Sequence, residues 1–377
     1  MVRFLFASDS FKGTLTSREI HAILAQTLAT LSPASSFEAV SVADGGEGTL
    51  EAFEDMGVCE RIEVDALDAL GRPIKASFIA IDDKVAIIES AQAAGLPQIE
   101  PELRNPLKAT SFGLGEIIHQ AVTRGFQTIY IGLGGTATND AATGALSALG
   151  FRFTDAKGTA LQGTGENLAH IARVDTTNVS PLVFKTRFRL LTDVTNPLLG
   201  AKGAQAVFAP QKGATPEMVQ ELEAGMAHFF SLTQKAFHAQ NFAGAGAAGG
   251  MAFGFKTFLG ADVTSGIQTV LELSHFEEKV KACDAIITGE GCVDGQTADG
   301  KVMSGILAFA KRLHKPVIAI TGDKKPGYEA LFHEGLTELV TLREIAGSSR
   351  KAMTEAKAIY AVAAERVLSD ALQKFQK

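Results

Sequence analysis

Short apolar runs that stop at polar or glycine-rich turns alternate with stretches of helical periodicity. Arg3 to Ser8 is mostly apolar and β-favouring and ends at Asp9-Ser10, which predicts a short buried strand. Thr16 or Ser17 then caps a helix to about Leu31, with Glu19 in its first turn and Pro33 beyond its end. A second strand over residues 37–42 runs into Ala43-Asp44-Gly45-Gly46-Glu47-Gly48, and a helix to about Met56 follows. The alternation returns late in the chain, with strands at 284–288, 317–321 and 339–342, a helix at 302–313 and an Ala-rich helix at about 349–373. Strands alternating with helices make a parallel sheet. Five of them predict an α/β, flavodoxin-like, doubly wound sheet formed by residues 1–61 and 266–377 and interrupted by an insertion.

Inside the insertion, residues 62–265, the pattern differs. Strands at 61–67, 74–81 and 84–89 follow closely enough for antiparallel pairing, and a helix at 110–124, a strand at 127–132 and a helix at 138–149 come next. This predicts a second, mixed α/β domain. No internal repeat is evident, and the one low-complexity stretch is the Gly/Ala tract at 243–250.

Composition narrows the class. A chain of 377 residues with 46% hydrophobic content supports two or three packed domains. A formal charge of −7, with 20% charged residues, argues against disorder and against a protein that lives on nucleic acid or anionic membrane. Cys59, Cys283 and Cys292 lack metal-ligand spacing and read as reduced thiols of a cytoplasmic protein. The N-terminus lacks the segments of a signal peptide, and the uncharged run at 242–255 is too short and too rich in glycine for a membrane helix. The eight histidines show no zinc spacing, and the 24 phenylalanines read as core, not as a stacking platform for bases. Glycine, at 38 residues, exceeds the usual share of roughly 7% and is clustered in short loops.

Those loops lie mostly just after strands, where an open parallel sheet places its ligand crevice. Asp9-Ser10-Phe11-Lys12-Gly13, Asp44-Gly45-Gly46-Glu47-Gly48 and Gly289-Glu290-Gly291 follow strands of the first domain. In the insertion, Gly132-Leu-Gly134-Gly135-Thr136-Ala-Thr138-Asn139-Asp140 joins a strand to a helix, a context that suits phosphate through close main-chain approach and a helix start. The same loop matches G-x-G-x-x-A with Asp155 downstream, the dinucleotide fingerprint, so an NAD-dependent oxidoreductase is a competing reading. A nucleotide-sensing binding protein is a third. Gly244-Ala-Gly-Ala-Ala-Gly249 follows no apolar strand, and Gly295 to Lys301 resembles a Walker A loop but has Val302 in place of the Ser/Thr, so a P-loop is rejected while Lys301 at a helix start still suits phosphate.

Taken in order, the loops resemble the bacterial type I glycerate kinase family. The matching stretches are Ser8-Asp-Ser-Phe-Lys-Gly13, Ala43-Asp-Gly-Gly-Glu-Gly-Thr49, Asn105-Pro106 with Ala109-Thr-Ser-Phe-Gly113, Gly132 to Asp140, Asp193-Val-Thr-Asn-Pro197, Phe208-Ala-Pro-Gln-Lys-Gly213, Gly244 to Gly250 and Thr288 to Thr297. They span nearly the whole chain. Minor departures occur at Gly163-Thr-Gly165 and after Gly132-Leu-Gly-Gly, which more often continues with Ser.

The resemblance implies ATP-dependent phosphorylation of D-glycerate with Mg²⁺, in a cleft between a flavodoxin-like domain and an inserted one, with 2-phosphoglycerate as product. Such chemistry needs a proton acceptor, cations and main-chain donors. Asp193, after the apolar stretch 188–192, is the expected acceptor and orienter of the attacking hydroxyl. Lys12 is the expected cation on glycerate or on the phosphoryl group, and Arg104 the second. Asp9, Ser10 and Asn105 complete the substrate set. Gly134, Gly135, Thr136, Thr138, Asn139, Gly289, Gly291 and Lys301 form the nucleotide and phosphate set, and Asp44 and Glu290, with Asp294 in reserve, are the Mg²⁺ carboxylates. The partners expected are small molecules, with the chain a monomer or a homodimer.

Overall fold

The structure is a computed structural model and describes every residue except Lys12, Asp44, Gly45, Gly46, Glu47, Met56, Val58, Gln296, Ala298, Asp299, Gly300, Lys301, Gln376 and Lys377. The chain divides into two compact units, one of Met1–Asp44, Glu51–Gly57 and Ile267–Lys377, the other of Gly45–Leu50 and Val58–Gly266.

The first unit holds five parallel strands in the order Ser36–Ala39, Arg3–Ser8, Ala285–Gly289, Val317–Thr321, Leu336–Thr341. Counted along the chain this is 2-1-3-4-5, the flavodoxin-like order. Both faces of the sheet are covered, which is why its strands read as continuous apolar runs. Phe4 and Phe6 pack with Ile20, Leu24, Ile359 and Tyr360 on one face, while Leu5 and Ala7 pack with Leu271, Phe276, Ile306 and Leu307 on the other. The centre of the sheet joins distant stretches of sequence: Thr288 Oγ1 donates to the Ala7 carbonyl at 2.7 Å across 281 residues.

The helix Ser17–Leu31 starts as its sequence predicts. Thr16 N donates to Glu19 Oε2 at 3.0 Å and Glu19 N to Thr16 Oγ1 at 3.2 Å, a capping box. Elsewhere the boundaries shift. The final helix is two pieces, Ser349–Thr354 and Ala356–Phe375, because Glu355 leaves helical geometry at φ −116°. The last strand begins at Leu336 since exposed and half-buried Thr337 and Glu338 hide its start from an apolar-run reading.

The second unit holds a six-stranded sheet in the order Asp262–Thr264, Arg187–Leu191, Thr128–Gly132, Val85–Glu89, Pro73–Ile81, Glu60–Leu67. The first four are parallel and the last two antiparallel, the mixed sheet expected. Phenylalanines fill its core: Phe153, Phe229 and Phe258 meet at centroid distances of 6.0–6.2 Å.

Candidate active site

Three adjacent parallel strands of the second unit end level with one another, since Glu89 pairs with Gly132 and Gly132 with Leu191. Glu89-Ser90, the Gly132–Gly135 turn and Thr192-Asp193 therefore share the carboxyl edge of one sheet. Backbone bonds knit them together: Leu133 N donates to Leu191 O at 3.0 Å, Ser90 N to Gly132 O at 2.9 Å, and Leu96 N to Gly135 O at 2.7 Å. Gly135, at φ 65°, takes the left-handed turn that favours glycine and is exposed, with Gly134 half-buried beside it. Asp193 is half-buried, two residues beyond its strand.

Past the turn the chain goes under the surface. Thr136 is nearly covered, and Thr138, Asn139 and Asp140 are fully buried. The helix expected over 138–149 is only Thr143–Ala148, because Ala141 and Ala142 adopt left-handed backbone, φ 50° and 62°. That conformation costs about 1–2 kcal/mol per L-residue and is held by Asp140. Its carboxylate accepts from Ser111 N at 2.8 Å, Ser111 Oγ at 2.7 Å, Ala142 N at 3.2 Å and Gly144 N at 3.2 Å. Burial pushes this carboxyl above its usual range, while the four donors favour the anion. The N–H groups of the helix start are thus engaged by Asp140 itself. Among the described residues, the main-chain donors left for an anion lie in the glycine turn ahead of it.

Three further motifs converge here. Gly244 N and Gly246 N donate to Asn196 O at 3.2 and 3.0 Å, tying the Gly/Ala tract to the segment after Asp193. Its far end, Gly249 at φ 67°, approaches so closely that a Cβ there would stand 2.1 Å from Thr138 O. Lys212 Nζ donates to that same Thr138 carbonyl at 2.7 Å. The next residue, Gly213, packs on Arg104, where a Cβ would meet Arg104 O at 2.6 Å. Arg104 Nε donates to Ile99 O at 3.1 Å, and Asn105 Oδ1 accepts from Leu107 N at 3.0 Å, so both are half-buried parts of one ordered turn.

The first unit has a candidate site of its own. Its strand order reverses between Arg3–Ser8 and Ala285–Gly289, the switch point at which open sheets bind ligands. A cavity of about 480 Å³ includes the residues that follow both strands. Asp9, Ser10, Thr14, Glu290 and Asp323 supply polar groups, while Phe11, Val302, Leu342, Ala352 and Met353 supply an apolar wall. Ser10 N donates to Asp9 Oδ1 at 2.6 Å, and Asp9 N to Gly289 O at 2.9 Å. Glu290 is buried and Gly291 lines the cavity beside it. Asp9, Glu290 and Asp323 are hard-oxygen donors of the type Mg²⁺ takes together with waters and substrate phosphates. Among the described residues no three acidic, His or Cys side chains cluster as a complete metal cage, and Asp323 is paired with Arg343 at 3.2 Å. Glu290 with its neighbours fits an ion shared with a bound phosphate. Lys12, Asp44 and Lys301 lie outside the described residues.

The model of the glycerate kinase family matches residues 4–372. The chain belongs to the glycerate kinase family. A glycerate kinase of Haemophilus influenzae is 39% identical over 338 residues, 89% of each chain. The glycerate 2-kinase of Escherichia coli K12 is 38% identical over 354 residues, 91% of this chain and 93% of its own. A crystal structure from Salmonella typhimurium LT2, of a chain assigned as glycerate kinase 2, matches with a TM-score of 0.86 at 35% identity and covers 100% of both chains. The chain is accordingly a phosphotransferase of the glycerate kinase type.

Membership in the glycerate kinase family displaces the NAD reading, and the geometry gives the reason. The strand before Asp155, Arg152–Thr154, pairs antiparallel with Arg173–Asp175 and is no second strand of a dinucleotide-binding unit. Asp155 Oδ1 accepts from Lys157 N at 2.9 Å and Thr159 N at 2.8 Å, so it orders a local turn. Two residues that the structure places at this candidate site escaped the sequence reading. Glu89 is the last residue of an apolar strand, much as Asp9 and Asp193 follow theirs by one and two residues; it is buried and accepts from Leu50 N at 2.9 Å. Lys212 lies within the Phe208–Gly213 motif, but nothing in sequence marks a lysine as buried.

Proposed function

We propose that this chain transfers the γ-phosphoryl group of ATP to the 2-hydroxyl of D-glycerate, giving 2-phosphoglycerate and ADP, with Mg²⁺ present. The observation that carries the reading is the level ending of adjacent strands, which sets the Asp193 carboxylate and the Gly132–Gly135 turn on one sheet edge in a chain of this family. A carboxylate beside an oxyanion-binding turn is what in-line phosphoryl transfer requires. The E. coli relative named glycerate 2-kinase supports the choice of hydroxyl.

In this reading Asp193 orients the attacking hydroxyl and accepts its proton as the new O–P bond forms and the bond to ADP breaks. Lys12 and Arg104 meet the negative charge of glycerate or of the phosphoryl group, and Asp9, Ser10 and Asn105 fix the substrate by hydrogen bonds. Gly134, Gly135, Thr136, Thr138, Asn139, Gly289, Gly291 and Lys301 are the nucleotide and phosphate set. The apolar wall of the first unit's cavity suits an adenine base. Glu290 and Asp44 would hold Mg²⁺, which neutralises phosphate charge when bound. The need for ATP and the buried thiol of Cys283 suit the cytoplasm.

The test is to incubate the protein with ATP, Mg²⁺ and D-glycerate, follow ADP through a coupled assay and identify the product by phosphorus NMR. A 2-phosphoglycerate signal is expected. The 3-phosphoglycerate isomer would reverse the orientation of glycerate against Asp193, and no glycerate-dependent ADP would overturn the reading.

A further inference from the structure

The motif Phe208-Ala-Pro-Gln-Lys-Gly213 carries a lysine that no step above uses. Lys212 is 3% exposed, a costly place for an ammonium unless its charge has a purpose. Its Nζ donates to Thr138 O at 2.7 Å and reaches Thr136 Oγ1 at 3.5 Å. Both acceptors belong to the turn that carries the phosphate set. In that turn Thr138 Oγ1 and both amide atoms of Asn139 are buried without a hydrogen-bond partner among the described residues. Unmatched buried groups call for a reason beyond packing. A turn backed by a cation, with donors to spare, is built to receive negative charge. The close approach of Gly213 to Arg104 links the lysine to the other candidate anion-binding segment as well.

Resting on the kinase reading, we propose that Lys212 is a positioning residue of the phosphotransfer site: its ammonium braces the Thr136–Asn139 turn from within, and the turn holds an oxyanion of the reactants more tightly when Lys212 is protonated. The charged groups around it set the direction of that coupling. Burial pushes the Lys212 ammonium down to about 7, and the nearby Asp140 opposes the shift. Arg104, on the segment packed against Gly213, has its Nε bonded to the Ile99 carbonyl at 3.1 Å. An oxyanion at the turn favours the charged lysine, so the pKa in the complex lies above that of the free protein. Binding is then strongest below about pH 7 and weakens as pH rises through the higher value, with one unit of difference equal to about tenfold.

The experiment measures KM for ATP and for D-glycerate from about pH 6 to about pH 9, with melting temperatures, in the wild type, Lys212→Met and Lys212→Arg. The wild type is expected to show one KM rising about tenfold over that range while kcat moves less. Lys212→Arg stays charged throughout and should keep the low KM at every pH. Lys212→Met should show a KM raised about tenfold at low pH, no further rise with pH, and a folded chain with a melting temperature only a few degrees from wild type, because the lost bond to Thr138 O is offset by removal of a buried charge. A rise confined to ATP assigns the oxyanion to the phosphoryl end, and one confined to D-glycerate assigns it to the carboxylate; either supports the proposal. A flat wild-type profile overturns it without any variant. So does a Lys212→Arg enzyme that keeps the wild-type rise, or a Lys212→Met chain that fails to fold, which would make the lysine a structural prop. A wild type without glycerate-dependent turnover at any pH fails the kinase reading instead, and is recognised before the variants are made.

Discussion

Replacing Gly249 with alanine tests whether the Gly/Ala tract is tightly fitted to the phosphate-type turn, and Gly260 provides the control. Both glycines lie in the second unit at nearly the same left-handed φ, 67° and 64°. At Gly260 a Cβ would meet nothing within 4 Å, whereas at Gly249 it would stand 2.1 Å from Thr138 O and 2.7 Å from Asn139 Cα. Gly260→Ala therefore carries only the left-handed penalty, about 1–2 kcal/mol. Gly249→Ala adds the strain of moving backbone that Lys212 and Ala141 also hold, about 1–3 kcal/mol more. Because the two substitutions fall in one unit, they are read on the same transition, and about 2–4 °C of melting temperature corresponds to each kcal/mol at that size. Calorimetry should place Gly249→Ala about 2–12 °C below Gly260→Ala, and the displaced Thr138–Asn139 turn should raise a substrate KM in the first variant alone. Equal melting temperatures and equal KM values would refute the close approach.

Asp193→Asn should lower kcat by about a hundredfold or more, the scale of general-base loss, with KM for ATP little changed; near-normal turnover would remove Asp193 from its role. Asp140→Asn turns an amide toward donors that now face a carboxylate, and should destabilise the second unit by about 3 kcal/mol in urea denaturation. Burial pushes His21 down to about 4, and its Nε2 accepts from Ser8 N at 3.4 Å. Since the folded value lies below the unfolded 6.5, the stabilisation is complete above about pH 6.5 and is lost as pH falls toward 4, to a total of about 3 kcal/mol. His21→Gln should flatten that acid limb of the urea midpoint. Thr16→Ala should cost the first unit about 1 kcal/mol through its lost cap.

Strands buried on both faces announce themselves as apolar runs, so Arg3–Ser8 and Val317–Thr321 match their sequence boundaries, and the box at Thr16 and Glu19 marks a helix start from local chemistry alone. Ala141 and Ala142 could not be read that way. Alanine is the best helix former, and only the tertiary grip of Asp140 and the bond from Ala141 N to Gly249 O at 3.2 Å hold it left-handed. The site shows the same division. Each glycine motif was visible, but the meeting of Thr138, Gly249 and Lys212 joins segments far apart in sequence, and no spacing records it. Glu89 had a readable signal, a carboxylate closing an apolar strand, of the kind already recognised at Asp9 and Asp193.

The 281 residues that separate Ala7 from Thr288 also set a schedule for biosynthesis. At about 5–20 residues per second, a ribosome needs about 14–56 s to deliver the neighbour that the central strand requires. Phe4, Leu5 and Phe6, fully buried in the finished sheet, can pair with residues 36–39 early but wait through that interval for the strand on their other side, while nearly all of the second unit has already emerged and can fold. The nascent chain thus presents a buried-type strand without this neighbour for tens of seconds, so slower translation is expected to favour aggregation through the first unit.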